Sequence, residues 1–464
     1  MKRALLSFVL LLTTISVPAS AIEITFTDES MYAFRPSIGQ NTYSYINSDN
    51  VHQGVSAVLG KCRSESELDC IESVEVSTDS KKWSPLTFKS YAPLPKSELF
   101  SYGSPQTWAR YASYQVDNPV LGIPNSYSTS SWSSSLPDNS EYAVTVSSQG
   151  TMATPTSKAN WIYFGLKVEP AKPTDTLNKD LRFKLKVRFN YLAPVVSGWF
   201  GGRVLTPALA VSATQSGGKV ATFTGGVMSV NQVSVEIPYE IYLPIYLNLF
   251  PELVNVPNKW PQKTGKAFVS PNNPYTLRHW ELIDDKMPQR ASKTQNYWSF
   301  ERLENQVAST QIAGCSSADQ ISGVLSTNAT AFELKPPTWN PELKSLDFKV
   351  ASSHLDASGK VTQGFYSLLV PQNVAECLWS NNLSSNKAQI SITDANGDTK
   401  VITESVKLTD GNLNFHIAGF TYSIKRISVG VGDKKLAKAQ ITCIKGKQVK
   451  KIAGAKCPKG FKVR

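Results

Sequence analysis

Residues 181–191, Leu-Arg-Phe-Lys-Leu-Lys-Val-Arg-Phe-Asn-Tyr, alternate apolar with polar side chains over their whole length. Successive side chains of a β-strand point to opposite faces of the sheet, so this period of two predicts a half-buried strand. Residues 233–249 carry apolar side chains at every odd position, with Pro238 and Pro244 on the opposite phase. Because proline cannot donate a ladder hydrogen bond, we expect an edge strand there, or two strands joined at a break.

The part of the chain before the tail contains further short strand patterns separated by turns. Strands are expected at Ala331–Leu334, Ser345–Ala351, Gly364–Val370, Ala388–Thr393, Lys400–Lys407, Asn412–Ile417 and Tyr422–Val431. Short strands at this spacing are typical of an immunoglobulin-like β-sandwich. A short helix fits only Pro371 to Trp379, and no segment has a sustained helical period. The sequence therefore predicts an all-β fold.

The N-terminus has the three regions of a secretory signal peptide. Lys2 and Arg3 precede a largely apolar run, which ends before the cleavage motif Ala19-Ser20-Ala21. The apolar run is shorter than the ~20 residues that a membrane-spanning helix needs. We therefore expect a protein that is secreted or displayed on the extracellular cell surface, with no transmembrane segment after cleavage.

Five segments follow from these patterns. We predict a signal peptide (1–21), a β-rich N-terminal region of one or two domains (22–285), a polar linker (286–296), an immunoglobulin-like sandwich (297–433) and a basic tail (434–464).

The chain has six cysteines, all of them after the signal peptide: Cys62, Cys70, Cys315, Cys377, Cys443 and Cys457. An even number in an oxidising compartment indicates disulfides, and about fifteen pairings of six cysteines are possible. We expect neighbours in the sequence to pair, because each bridge then falls within one segment. The spacings lack the close cysteine pair of a zinc site and have no histidine nearby, so we expect neither a metal nor another cofactor.

The net charge of +12 is concentrated in the tail, which has eleven basic residues and no acidic one. They are Lys434, Lys435, Lys438, Lys445, Lys447, Lys450, Lys451, Lys456, Lys459, Lys462 and Arg464. The rest of the mature chain is close to neutral, so the asymmetry favours binding of the tail to an anionic cell-envelope polymer or glycan. A solvated, solubilising tail and a sorting signal are the alternatives. Nucleic acid is not expected as a partner, because a secreted protein meets it rarely.

No catalytic signature stands out, which favours a binding or structural protein over an enzyme. The sequence has no nucleophile elbow, zinc-protease motif, phosphate-binding loop or dinucleotide fingerprint. The histidines are far apart and have no ligand-like spacing: His52, His279, His354 and His416.

A secreted carbohydrate-active hydrolase is the contrasting hypothesis. Glycosidases use two carboxylates, and Glu281, Asp284 and Asp285 cluster beside an aromatic residue that could face a sugar. Trp108 and Trp132, in an aromatic-rich stretch, are candidates for glycan stacking. The alternatives are a solvated acidic loop and aromatic side chains that fill the core.

The tail also resembles a known group of proteins. Ile441-Thr442-Cys443-Ile444-Lys445-Gly446-Lys447 and Lys456-Cys457-Pro458-Lys459-Gly460-Phe461-Lys462 are similar to a C-terminal cassette on exported proteins of actinobacteria, in which an aromatic residue, usually tyrosine, stands in place of Phe461. Weaker similarities are found in residues 296–300, 336–339 and 364–368. The resemblance implies an uncharacterised secreted β-rich protein and supplies no catalytic residues.

Overall fold

A computed structural model of the chain describes residues 21–27, 44–45, 53–79, 81–92, 108–109, 122, 124, 127, 129–136, 140–152, 157–172, 174–269, 275–303, 310–317, 319–379, 383, 388–394, 399–402, 406–431, 440–445, 448–453, 458 and 461–463. These residues are mostly in β-strands, which confirms the predicted all-β fold.

The first half of the chain forms thirteen strands and then a helix within the described residues. In order they are β1 (Ala21–Phe26), β2 (Ser44–Tyr45), β3 (Gln53–Val58), β4 (Cys70–Ser77), β5 (Ser84–Pro85), β6 (Thr87–Tyr91), β7 (Trp108–Ala109), β8 (Ser130–Ser133), β9 (Glu141–Met152), β10 (Asn160–Pro170), β11 (Arg182–Phe189), β12 (Gly198–Ala213), β13 (Lys219–Pro238) and α1 (Tyr239–Leu249).

The second half continues with shorter elements. They are β14 (Gly265–Val269), α2 (Thr276–Leu282), β15 (Lys293–Tyr297), β16 (Ser299–Arg302), α3 (Thr310–Cys315), β17 (Ile321–Thr327), β18 (Ala331–Phe332), β19 (Thr338–Asn340), β20 (Ser345–Ala351), β21 (Gln363–Pro371), α4 (Gln372–Trp379), β22 (Ala388–Asp394), β23 (Thr399–Ile402), β24 (Val406–Thr409), β25 (Asn412–Thr421), β26 (Lys425–Val431), β27 (Gln440–Lys445), β28 (Gln448–Ala453) and β29 (Lys462–Val463).

A first sandwich of two sheets is built mainly from strands of the first half of the chain, and β16 joins it from the second half. One sheet contains β9, β10, β16 and the start of β12, and the other contains β4, β11, β13 and the end of β12. The predicted strand at 181–191 is confirmed as β11, and its apolar residues are buried in the core of this sandwich: Phe183, Leu185, Val187 and Phe189. The alternation thus places one face of β11 in the core.

The C-terminal half encloses a second core between two sheets. β17, β21, β25 and β24 form one sheet, and β18, β20, β26, β22 and β23 lie in the other. All seven strand patterns expected between 331 and 431 coincide with strands, although 400–407 is divided between β23 and β24. The expected short helix is confirmed as α4.

A third apolar cluster lies where β1 is inserted between β13 and β14, covered by α1 and α2. Here one expectation is wrong. Residues 233–238 complete β13, but 239–249 form the helix α1 and not a strand. The buried residues Tyr239, Tyr242 and Leu249 have helical spacing. The apolar residues of this stretch therefore fit the period of a strand and also the period of a helix. Packing against the third cluster favours the helix.

Strands from both halves of the chain meet in one continuous sheet. β12 pairs with β17 in parallel, from Gly198 opposite Ile321 to Gly202 opposite Ser326. β15, which overlaps the end of the predicted linker 286–296, pairs with β13, and β16 lies between β10 and β12. The proposed division at this linker remains a prediction.

Candidate functional site: the basic hairpin

The tail forms an antiparallel hairpin of β27 and β28, with β29 on the other side of β27. In the register Gln440 lies opposite Ala453 and Lys445 opposite Gln448. The hairpin is joined to the C-terminal sandwich because Gln440 also pairs with Thr399 of β23. We call β27, β28 and β29 together the basic hairpin.

Among the side chains that the structure describes in the basic hairpin, two cations are exposed. Lys445 and Lys450 both face solvent, and Lys450 Nζ lies 5.3 Å from the centroid of the Phe461 ring. A cation over an aromatic face gains roughly 0.5–1 kcal/mol at an exposed site. This contact gives the aromatic residue of the tail motif a physical role, which the sequence pattern alone did not reveal.

The register also fixes the backbone positions of two further lysines, since Lys451 lies opposite Thr442 and Lys462 opposite Ile444. The remaining basic residues predicted to bind the envelope lie outside the described residues: Lys434, Lys435, Lys438, Lys447, Lys456, Lys459 and Arg464.

Two of the three predicted disulfides are confirmed, Cys62–Cys70 and Cys315–Cys377. Cys443 is disulfide-bonded and completely buried at the centre of β27. Its predicted partner, Cys457, lies outside the described residues, so this pairing remains a prediction. This buried, disulfide-bonded residue anchors β27 in the small hairpin.

The two tryptophans considered for glycan stacking have different environments. Trp132 is 2% exposed and packs edge-to-face on Phe88, and its indole N–H donates to the Ser130 hydroxyl. Its position supports the alternative of core packing. Trp108 lies in β7 opposite Tyr45, and its side chain is outside the described part of the structure.

The acidic cluster considered for a hydrolase lies on α2 and the turn after it. Glu281 forms ion pairs with Lys349 (3.2 Å) and Arg278 (3.5 Å), and Asp285 pairs with Lys286 (2.6 Å). Burial raises the pKa of Asp284, although a hydrogen bond from Trp280 acts in the opposite direction. Two of the three carboxylates therefore already have cationic partners.

The three described histidines have different neighbours. His279 is buried at the third apolar cluster, His354 accepts or donates a hydrogen bond at the Tyr422 carbonyl, and His416 packs edge-to-face on Phe365. His52 lies outside the described residues. Over the described ranges, no three His, Cys, Asp or Glu side chains are grouped closely enough to hold a metal ion.

Comparison with known proteins gave no relatives: no family model matches the chain, and no curated protein matches it. Among the described helices, none combines the length and the apolar composition needed to cross a lipid bilayer.

Proposed function

We propose that this chain is an exported β-rich binding or structural protein that the basic hairpin holds at an anionic polymer of the cell envelope. The observation that carries this proposal is the pairing of β27 with β23, which makes the basic hairpin an extension of the C-terminal sheet. Cations on a rigid scaffold lose less conformational entropy on binding than cations on a flexible chain.

The charge distribution supports the same proposal. Each Lys or Arg near an anionic surface contributes about 1 kcal/mol or less, and physiological salt screens the attraction beyond about 8 Å. Many basic residues must therefore lie close together, as they do in the tail. The resemblance of the tail to the cassette of exported actinobacterial proteins agrees with this role, and we include membership of that group in the proposal.

Vesicle binding tests the proposal directly. We expect the full-length protein to sediment with phosphatidylglycerol-containing vesicles, and salt to release it. Lys445→Gln combined with Lys450→Gln should weaken binding by up to about thirtyfold, since two charges of about 1 kcal/mol each are removed. Lys81→Gln with Lys82→Gln removes the same charge from an exposed turn elsewhere and is the matched control.

Fractionation of the producing cells extends the test to the natural envelope. Full-length protein should remain with the envelope until a salt wash, whereas a chain that ends at Asp433 should appear in the medium. Equal partition of the two forms, or an equal effect of the control substitutions on vesicle binding, would contradict an electrostatic anchor.

A further inference from the structure

The second half of β12 has one unpaired edge. Thr214 N–H donates to the Gly218 carbonyl (2.8 Å) and closes the turn between β12 and β13. Hydrogen-bonded pairs alternate along an antiparallel ladder, so the backbone groups of Leu209, Val211 and Ala213 point away from β13. We call the three N–H groups of these residues the edge amides. In the described part of the chain, no strand pairs with them.

This edge lacks the usual protection. Exposed edge strands in native proteins generally carry lysine, other charges or proline, which prevent another strand from pairing. Residues 208–213, Ala-Leu-Ala-Val-Ser-Ala, contain none of these. Pro207 lies just before the segment, at a break in the ladder between Leu205 and Ala208.

An apolar groove of about 510 Å³ lies beside the edge amides. Leu209 and Val211 of β12 line the groove together with Ile321, Val324 and Leu369, and its lining also includes polar residues such as Gln320 and Asn373. Val324 and Leu369 are also buried members of the N-terminal core. The groove therefore lies at the edge of this sandwich, beside the end of β12, where residues of the core also line a surface depression.

A fixed cation lines the groove. Lys219 lies opposite Ala213 in the ladder, and its Nζ donates to the carbonyls of Val196 and Asp319, both at 3.0 Å. Burial lowers the pKa of Lys219, while the Asp319 carboxylate opposes this shift and the nearby Arg302 adds to it. Two backbone carbonyls hold the ammonium group in the lining of the groove, which Asp319 shares, and there it offers a positive charge to a carboxylate of the partner.

We propose that the edge amides and the groove bind an extended segment of a partner polypeptide, which adds a strand to β12. Its alternate apolar side chains would fill the groove, and a carboxylate would lie at Lys219. Backbone pairing supplies affinity in such complexes, and pockets for alternate side chains supply specificity. A sugar would leave the apolar walls without contacts, whereas a strand also pairs with the free backbone groups.

The edge amides provide the first test, by residue-resolved hydrogen exchange on the full-length monomer. We expect these three amides to exchange faster than the even-numbered amides of residues 208–212, which bond to β13. Protection of the edge amides in the monomer would show that another segment of this chain covers them. Protection only in a concentration-dependent dimer would show that a second copy is the occupant. Either result would overturn the proposal.

A phage-displayed library of peptides about eight residues long provides the second test. Peptides that bind should alternate apolar residues and carry Asp or Glu. Val211→Pro removes one edge amide without removing a bond to β13, and should weaken binding at least about tenfold. Val211→Thr keeps the amide and the side-chain shape, and should bind nearly as well as the wild type.

Charge exchange keeps the test informative if Val211→Pro misfolds. Lys219→Glu should reject acidic peptides and accept peptides in which Lys replaces the acidic residue. The absence of any enriched peptide, equal binding by Val211→Pro, or indifference to the charge at residue 219 would overturn the proposal. The basic hairpin is remote in sequence from this surface, so its proposed role can fail independently.

Discussion

The environment of His279 is unfavourable for a charge. Its ring is stacked on Tyr242 (5.5 Å between centroids) and meets Phe26 edge-to-face (5.4 Å). Its Nε2 is buried without a hydrogen-bond partner among the described residues. Burial lowers the pKa of His279 from 6.5 to about 4, because the imidazolium would lose its hydration there.

This depressed pKa predicts that the fold weakens in mild acid. Between about pH 4 and 6.5, His279 is protonated in the unfolded chain but not in the native one. The free energy of unfolding therefore falls as the pH falls through this window. From about pH 7.5 to about pH 4.5 we expect His279 to account for a loss of up to about 3 kcal/mol. Urea unfolding at the two pH values measures it.

Replacing the histidine supplies the control for this prediction. His279→Phe should reduce the pH dependence of unfolding, since phenylalanine does not titrate. If this variant keeps the wild-type pH dependence, His279 does not cause it.

At the scale of the element, strands with one wet face could be predicted from alternation in the sequence, whereas β17, which has no wet face, was missed. β11 shows period two because only one of its faces is buried. β17 was missed because both faces are buried, with Val324 in one core and Leu325 in the other, which removes the alternation. The unpaired edge of β12 was also beyond prediction, since it depends on where β13 and β17 lie.

The helix α1 contains Pro244 at its sixth position, which gives an element-scale prediction. Proline cannot donate to the Glu240 carbonyl, and in a helix interior it is about 3 kcal/mol less favourable than alanine. Pro244 is exposed, so Pro244→Ala removes little packing. Alanine also gives the unfolded chain more freedom, which offsets about 0.4–1 kcal/mol of the gain.

We therefore expect Pro244→Ala to raise the free energy of unfolding by about 2–2.6 kcal/mol and to raise the melting temperature. Pro251→Ala, in the turn after the helix, is the comparison, because a proline at the start of a helical turn lacks no needed hydrogen bond. Destabilisation by Pro244→Ala would indicate that 239–249 is not an ordinary helix.

At the scale of the whole molecule, the tail's composition predicted a concentration of basic charge, but not the junction of the basic hairpin with β23, because a charge pattern does not specify a neighbouring strand. The same holds for the two cores. Trp199 of β12 packs in the C-terminal core, while Val324 of β17 packs in the N-terminal core. The parallel pair of β12 and β17 thus links both cores, and a domain boundary chosen from composition cannot reveal this exchange of side chains.

This link predicts that the two sandwiches unfold together. A Cβ added to Gly323 would clash with the Trp199 ring, so Gly323→Ala must shift the indole or the backbone of β17. Overpacking of this kind typically costs about 1–3 kcal/mol.

Differential scanning calorimetry should show one transition in the wild type and the same single transition at lower temperature in Gly323→Ala. Gly314→Ala, where an added Cβ meets nothing within 4 Å, should not lower the transition temperature, because alanine favours the helix α3 over glycine. Two separate transitions, of which Gly323→Ala shifts only one, would instead support independent domains divided at residues 286–296.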